Sequence, residues 1–281
     1  MKMNNFELFM HEYFNNFKDT KIREAMAYSL FADGKRFRPN LIFAIVKGFG
    51  IKEEKAYHAA MGLEMIHTYS LIHDDLPCMD NDDFRRGRPS NHIAFGEDIA
   101  TLSGDALLTA CFKVICDDED LDPKQKMDIV SLYSEMAGPN GMIYGQLLDL
   151  ESEDKEEVTS QILDDIQDYK TGCLFKAALL AGMYIVKDEN NRDFYEKMAL
   201  HIGRIFQIQD DLFDIIKTQE ETGKPANSDI KNNKATALSI YTVDQVKERL
   251  NNEFNDVYAL IQKQAFNTEE IKNIIDIMKN R

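Results

Sequence analysis

Gln207-Ile208-Gln209-Asp210-Asp211-Leu212-Phe213-Asp214 carries three carboxylates inside an otherwise apolar stretch. Asp210 and Asp214 are one helical turn apart and Asp211 lies between them. At ~100° per residue all three project to one face, with Gln207 one turn earlier. Like charges on one helical face repel, by roughly a few tenths of a kcal/mol per pair. A face that accepts this cost gains something from it. Oxygen-only ligands suit a hard cation, and Mg²⁺ binds through one or two carboxylates plus the phosphates of a substrate.

A second cluster stands far upstream: His73-Asp74-Asp75-Leu76-Pro77-Cys78-Met79-Asp80, followed by Asp82 and Asp83. Six residues separate Asp74 from Asp80, ~600° on an ideal helix, so they share no helical face. Pro77 resolves this. The helix ends near it, and a short turn brings Asp80 back beside Asp74. The Asp/Asn-Gly spacing of an EF-hand is missing after Asp80. One such cluster in an acidic chain reads as a solvated face. Two, each set in apolar helical sequence (Tyr69-Ser70-Leu71-Ile72; Ile205-Phe206 and Leu212-Phe213), read as the lining of a cavity.

Around these clusters helical periodicity dominates, with no convincing alternating strand pattern. The 281 residues hold only 14 Gly and 6 Pro, so breakers are scarce. Helices are predicted over 3–18, 20–32, 39–49, 52–76, 97–116, 124–137, 140–150, 158–186, 191–219, 243–264 and 268–279. Loops are predicted at Gly87–Asn91, Gly138–Gly141 and Gly223–Pro225. No Pro/Ser-rich linker divides the chain, so one all-α domain over 1–281 is expected. The acidic run Asp117–Asp122 and the charged stretch 151–157 read as solvated turns.

Lys+Arg total 33 against 49 Asp+Glu, a net charge of −16. That excludes nucleic acid and anionic membrane as partners. Glu7, His11 and Glu12 interrupt any signal peptide, and no transit peptide is expected. No run of ~18 uncharged apolar residues is present; the best stretch, Ala56–Ile72, contains His58, Glu64 and His67. Cys78, Cys111, Cys116 and Cys173 have no CxxC spacing, which fits free, mostly buried thiols in a reducing cytoplasm.

The scarce cations are grouped. Lys35, Arg36 and Arg38 share one loop with Gly34 and Pro39; Arg85-Arg86-Gly87-Arg88 follows the upstream aspartates. Lys170-Thr171-Gly172, Gly223-Lys224 and Lys234 add cations, most beside glycines. Each alone reads as a solvated cation. Together with Mg²⁺-type carboxylates they favour a diphosphate site. The P-loop, dinucleotide, zinc-protease and α/β-hydrolase motifs are absent from the sequence.

In these residues the chain resembles the trans-isoprenyl diphosphate synthases, in their bacterial farnesyl diphosphate synthase form. Asp74-Asp75-x-x-x-x-Asp80 with Arg85-Arg86-Gly87 looks like the first aspartate-rich motif with its two-residue insertion, and Asp210-Asp211-x-x-Asp214 like the second. Gly34-Lys35-Arg36-x-Arg38-Pro39, Gly145-Gln146-Leu147-Leu148-Asp149, Lys170-Thr171-Gly172, Gly223-Lys224 and Lys234-Ala235-Thr236 match further signatures. The likeness runs from about Leu30 to Leu238. One departure is Ala237-Leu238, where relatives usually have an aromatic and a proline.

The resemblance implies an all-α bundle around a deep central cavity, working as a homodimer. It implies head-to-tail (1′-4) condensation of isopentenyl diphosphate with dimethylallyl and geranyl diphosphate, giving (2E,6E)-farnesyl diphosphate. Geranylgeranyl and geranyl diphosphate synthases, or a non-catalytic subunit of a heteromeric synthase, are the alternatives. Metal ligands would be Asp74, Asp75, Asp80, Asp210, Asp211 and Asp214, holding three Mg²⁺, with Mn²⁺ as a possible substitute. Isopentenyl diphosphate would be held by Lys35, Arg38, His67 and Arg86. The allylic diphosphate would meet Arg85, Lys170, Thr171, Gln207, Lys224 and Lys234. Lys170, Thr171 and Gln207 would stabilise the cation, with Asp74 and Asp210 holding metal for catalysis. Product length depends on what blocks the cavity near Asp74. Periodicity favours Ser70, on the same face, with Tyr69 turned aside; the family pattern favours Tyr69 as the limiter of C15 enzymes. A metal chelator in excess is expected to abolish turnover, and restored activity on adding Mg²⁺ back checks it.

Overall fold

Breakers and capping residues set the helix ends. The structure, a computed structural model, describes residues 3–153, 158–216 and 237–280. α1 (Asn5–Phe14) begins at Asn4, whose side chain accepts from the Glu7 amide while Glu7 returns the bond. α2 (Lys21–Leu30) is capped by Thr20 and leads through the basic loop to α3 (Phe37–Gly48). A 3₁₀ turn at Glu53–Ala56 opens α4 (Tyr57–Asp74), which stops three residues before Pro77. A two-strand hairpin, β1 (Phe84–Arg85) with β2 (Arg88–Pro89), precedes α5 (Asn91–Phe95) and α6 (Glu97–Cys116). α7 (Pro123–Ala137) starts from an Asp122 capping box with proline at its first position. Then come α8 (Met142–Glu153), α9 (Ser160–Ile166), a π-helical turn at Gln167–Gly172, α10 (Cys173–Val186) and α11 (Arg192–Ile216). α12 (Ala237–Ile240), α13 (Val243–Ile261) and α14 (Glu269–Lys279) end the described chain.

α4 and α10 are apolar on nearly every side and so occupy the middle. α6 packs along α4; α3, α7 and α11 surround α10. Close approach is set by glycine: a methyl at Gly62 would crowd Ile115 of α6, and one at Gly182 would meet Ile45 of α3. Tyr133 of α7, fully buried, donates its hydroxyl hydrogen bond to the Ala59 carbonyl of α4 at 2.9 Å.

The sequence reading needs correcting in five places. Gly87–Asn91 is not a plain loop: Arg86 and Gly87, both at positive φ, turn a short antiparallel hairpin, and α5 already starts at Asn91. The helix predicted over 158–186 is split by the π turn. The 117–122 run is not merely solvated. Asp118 is buried, accepts from the amides of Asp120 and Leu121, and pairs with His58. The cysteines divide evenly, with Cys78 and Cys116 exposed and Cys111 and Cys173 buried, all as free thiols. Among the described residues the helix with the length and composition to cross a membrane is α6, not the Ala56–Ile72 stretch. It buries Ala100, Leu107, Cys111, Val114 and Ile115 in the core. Residues 154–157 of the charged stretch lie outside the described residues.

Ile45 is fully buried against Gly182. Ile45→Ala is expected to cost about 2–5 kcal/mol, as in other large-to-small core changes, read as a lower urea midpoint at unchanged slope.

Candidate active site

A cavity of about 580 Å³ opens between α4, α6, α8, the π turn and α11. Its polar lining includes Arg38, His67, Asp74, Lys170, Thr171, Gln207 and Asp210; its apolar lining includes Leu108, Ile143, Leu147, Leu150, Leu174 and Phe206. His67 and Asp74 lie two turns apart on α4 and both reach it, as the spacing predicts. Tyr69 and Ser70 line it together. The periodicity argument that turns Tyr69 aside is therefore corrected. The Tyr69 ring lies beside that of His73, with centroids 5.7 Å apart, and Ser70 donates its hydroxyl to the His67 carbonyl.

The upstream aspartates part company after the helix ends. The amide of Asp80 donates to the Asp74 carbonyl at 2.8 Å, so the chain turns back at Pro77 as expected. Asp75, 2% exposed, instead accepts from Arg85, at 2.9 Å from Nε and also from Nη2. Arg85 also reaches Asp82 at 3.3 Å. Neither Asp75 nor Arg85 lines the cavity; both border a smaller cleft beneath the hairpin. In the downstream cluster Asp210 lines the cavity, whereas buried Asp211 accepts from Gln207 Nε2 at 2.9 Å and from the Ala237 amide at 2.7 Å. Asp75 and Asp211, both read as metal ligands, thus accept hydrogen bonds from protein donors. Asp214 lies on α11; its side chain, with Lys224 and Lys234, falls outside the described residues.

The cations sort the same way. Arg36, in a left-handed conformation at φ 49°, turns inward to Glu64 and to the Leu30 and Ala32 carbonyls. It pins the loop that presents Lys35 and Arg38. Arg38 is buried over the Phe175 ring, 4.4 Å from its centroid, and its Nε has no hydrogen-bond partner among the described residues. Burial, aided by Arg86, lowers its pKa to about 10, so it keeps its charge at neutral pH. Arg86 lies over Gly34, where any side chain would crowd the guanidinium. Lys35 extends over the Phe37 ring. His67 is held well below the usual imidazole range by burial and then by Arg38 and Arg86, so it is neutral in the folded chain.

Lys170 shows what spacing alone does not reveal. Its Nζ lies 2.5 Å from Asp149, a buried carboxylate on α8. One turn earlier, Gly145 lets α8 rest directly on the backbone of Lys170; any Cβ there would collide with it. On the other side Gly203 of α11 meets Gly172. The π turn, a common device at functional sites, is thus wedged between two helices. Thr171 donates to Gln207 Oε1 at 3.1 Å, and Gln207 donates on to Asp211, which fixes the amide's orientation. Gln146, with its Nε2 buried and without a partner among the described residues, also lines the cavity. Asp149 and Gln146 sit in the Gly145–Asp149 signature, but nothing in that signature points to a lysine 21 residues on.

Among the described residues no three His, Cys, Asp or Glu side chains gather closely enough to hold a metal alone. The hard oxygen donors Asp74 and Asp210 on one cavity suit a cation that completes its shell with substrate phosphate and water. Cationic and neutral donors on the same cavity supply the rest of an anion site.

The polyprenyl synthetase family model matches residues 19–278. The chain belongs to the polyprenyl synthetase family. It is 44% identical over 233 residues to a farnesyl diphosphate synthase of Geobacillus stearothermophilus, covering 82% of this chain and 78% of that one. It is 42% identical over 228 residues to a geranylgeranyl diphosphate synthase of Cyanophora paradoxa, covering 80% and 76%. A geranyltransferase of Helicobacter pylori, solved with magnesium and isoprenyl diphosphate, superposes with a TM-score of 0.86 at 25% identity over 100% of both chains.

The depressed His67 pKa in this polyprenyl synthetase has a stability consequence. Between the ordinary histidine value and the lower folded one, the unfolded chain binds the extra proton, so stability falls as pH drops below about 6.5. His67→Gln removes that proton uptake. Urea midpoints at pH 7.5 and 5.5 should therefore differ less in the variant than in the wild type; equal differences would contradict a depressed His67.

Proposed function

We infer that the chain is a prenyltransferase that joins isopentenyl diphosphate head to tail (1′-4) to dimethylallyl and then geranyl diphosphate, releasing (2E,6E)-farnesyl diphosphate and diphosphate. One observation carries the reading: Asp74 of α4 and Asp210 of α11 line the same largely apolar cavity as Lys170, Thr171, Gln207, His67 and buried Arg38. The relatives' names support the same chemistry.

In this reading Asp74, Asp80 and Asp210, with Asp214 beside them, hold up to three Mg²⁺, with Mn²⁺ as a substitute. Asp75 and Asp211 support them from behind. The metal, when bound, neutralises charge that develops on the leaving diphosphate. Lys170, Lys224 and Lys234 add positive charge around the allylic diphosphate, and Arg85 acts on it from the neighbouring cleft, where it holds Asp75. Lys35, Arg38, His67 and Arg86 hold isopentenyl diphosphate, whose double bond attacks the allylic cation left when the C–O bond to the departing diphosphate breaks. Thr171 and Gln207, locked to each other, present fixed dipoles to the allylic cation. The proton lost in the last step goes to the departing diphosphate, so no side-chain base is required. Leu108, Leu147, Leu174 and Phe206 keep water from the cation.

Tyr69 stops the chain at C15. A C20 product is the second reading, favoured by the likeness to a geranylgeranyl diphosphate synthase; both aspartate clusters argue against a non-catalytic subunit. The working form is a homodimer in the cytoplasm, in keeping with the exposed apolar side chain of Leu102 on α6. The single domain spans 1–281.

Purified protein with Mg²⁺, dimethylallyl diphosphate and isopentenyl diphosphate is expected to release diphosphate and give mainly C15 by chromatography, with C10 as the intermediate. Tyr69→Ala is expected to shift the main product to C20 or longer. Absence of diphosphate release with every C5–C15 primer overturns the enzyme reading, and a mainly C20 product from the intact enzyme overturns the role of Tyr69.

A further inference from the structure

The floor beside Tyr69 contains a contact that neither aspartate cluster explains. His73, the last residue before Asp74, sets its ring against α6. Its Nε2 lies 3.1 Å from the Thr101 carbonyl. A carbonyl only accepts, so Nε2 carries the proton. The imidazole edge rests on the backbone of Gly104, where any Cβ would coincide with the ring. Its other side meets the Tyr69 ring edge to face, at an interplanar angle of 79°. Tyr69 has no other fixing contact through its hydroxyl, which is buried without a hydrogen-bond partner among the described residues. Tyr69, His73 and, one turn along α6, Asp105 and Leu108 all line the cavity.

We propose that His73, seated on Gly104, is a positioning residue that sets product length by filling the space between Tyr69 and α6 and holding the tyrosine ring across the cavity. The argument is one of volume and restraint. Among the described residues the Tyr69 hydroxyl is unpaired, so ring packing selects its rotamer. Remove the imidazole and a ring-sized gap opens over Gly104. The tyrosine can then swing down by one turn, and the floor deepens. Gly104 is the complement: it is the position on α6 whose missing side chain makes the seat. The inference rests on the reading of the chain as a C15 synthase limited at Tyr69.

Four variants test it in the full-length enzyme: Tyr69→Ala, His73→Ala, Gly104→Ala, and the double change His73→Ala with Gly104→Leu. The measure is the C20:C15 product ratio, followed alongside kcat and thermal midpoint. His73→Ala is expected to raise the ratio roughly two- to tenfold, the worth of one edge-to-face ring pair. Gly104→Ala, which must expel the imidazole from its seat, is expected to raise it as well. Leucine at 104 in the double variant refills the gap from the α6 side and is expected to return the ratio toward wild type. A structural role alone would lower kcat or the thermal midpoint without moving the ratio. Should His73→Ala disturb Asp74 and silence the enzyme, Gly104→Ala, on another helix, carries the test. Lengthening by Tyr69→Ala with an unchanged ratio in Gly104→Ala or His73→Ala overturns the inference and leaves the C15 reading standing. An unchanged product from Tyr69→Ala overturns that reading itself.

Discussion

Charges of one sign repel most where water is scarce, and this cavity has to assemble two opposed sets of them. The fold meets the constraint by pairing part of each set internally. Asp75 takes Arg85, Glu64 takes Arg36, Asp149 takes Lys170, and Asp211 takes two N–H donors. These pairs are not surface decoration, because Asp75, Glu64, Asp149 and Asp211 are all buried. An unpaired buried charge costs far more than a paired one. Each pair therefore also fixes geometry: Arg36 shapes the loop before α3, Arg85 ties the hairpin to the end of α4, and Asp149 ties the π turn to α8. The groups left on the cavity lining, Asp74, Asp210, Arg38 and His67, are presented by elements that these pairs hold in place.

Much of this was legible in the residues. The 3.6-residue period of α11 puts Asp210 and Asp211 within one turn of Gln207, and Pro77 foretells the turn that brings Asp80 back to Asp74. Helical periodicity also locates most helices to within a few residues, because α4 and α10 carry few breakers. What spacing does not encode is which member of a doublet faces the cavity. Asp74 and Asp75 differ only by ~100° of helix, and the choice is made by Arg85, ten residues on, through a hairpin too short to register as strand pattern. Tyr69 is a similar case. Periodicity measures Cα direction, but a tyrosine ring is long enough to reach the cavity from a neighbouring face, and His73, one turn on, meets it there.

Close approaches between helices were the least legible. Gly62, Gly104, Gly145 and Gly182 all sit within α-helices, where glycine costs up to about 1 kcal/mol relative to alanine. In a sequence they read as tolerated weak points. In three dimensions each marks a place where a partner needs the volume of the missing side chain: Ile115, His73, the Lys170 backbone and Ile45. The partners lie 30 or more residues away in three of these cases and 25 in the fourth. No local pattern announces them.

The π turn at Gln167–Gly172 has one more consequence, for how the chain tolerates change in length. Such a turn holds one residue more than the α-helix around it. Excising a single residue there would leave the hydrogen-bond ladder easy to regularise, making one continuous helix from Ser160 to Val186. Because the wide turn absorbs that residue, the helices on either side would keep their faces, and the whole change would fall on the turn itself. Lys170 would lose the widened backbone that seats it on Gly145 and sets it against Asp149. The flanking helices thus tolerate a one-residue deletion that the active cavity does not, and the irregular turn is kept for the cavity rather than for the packing around it.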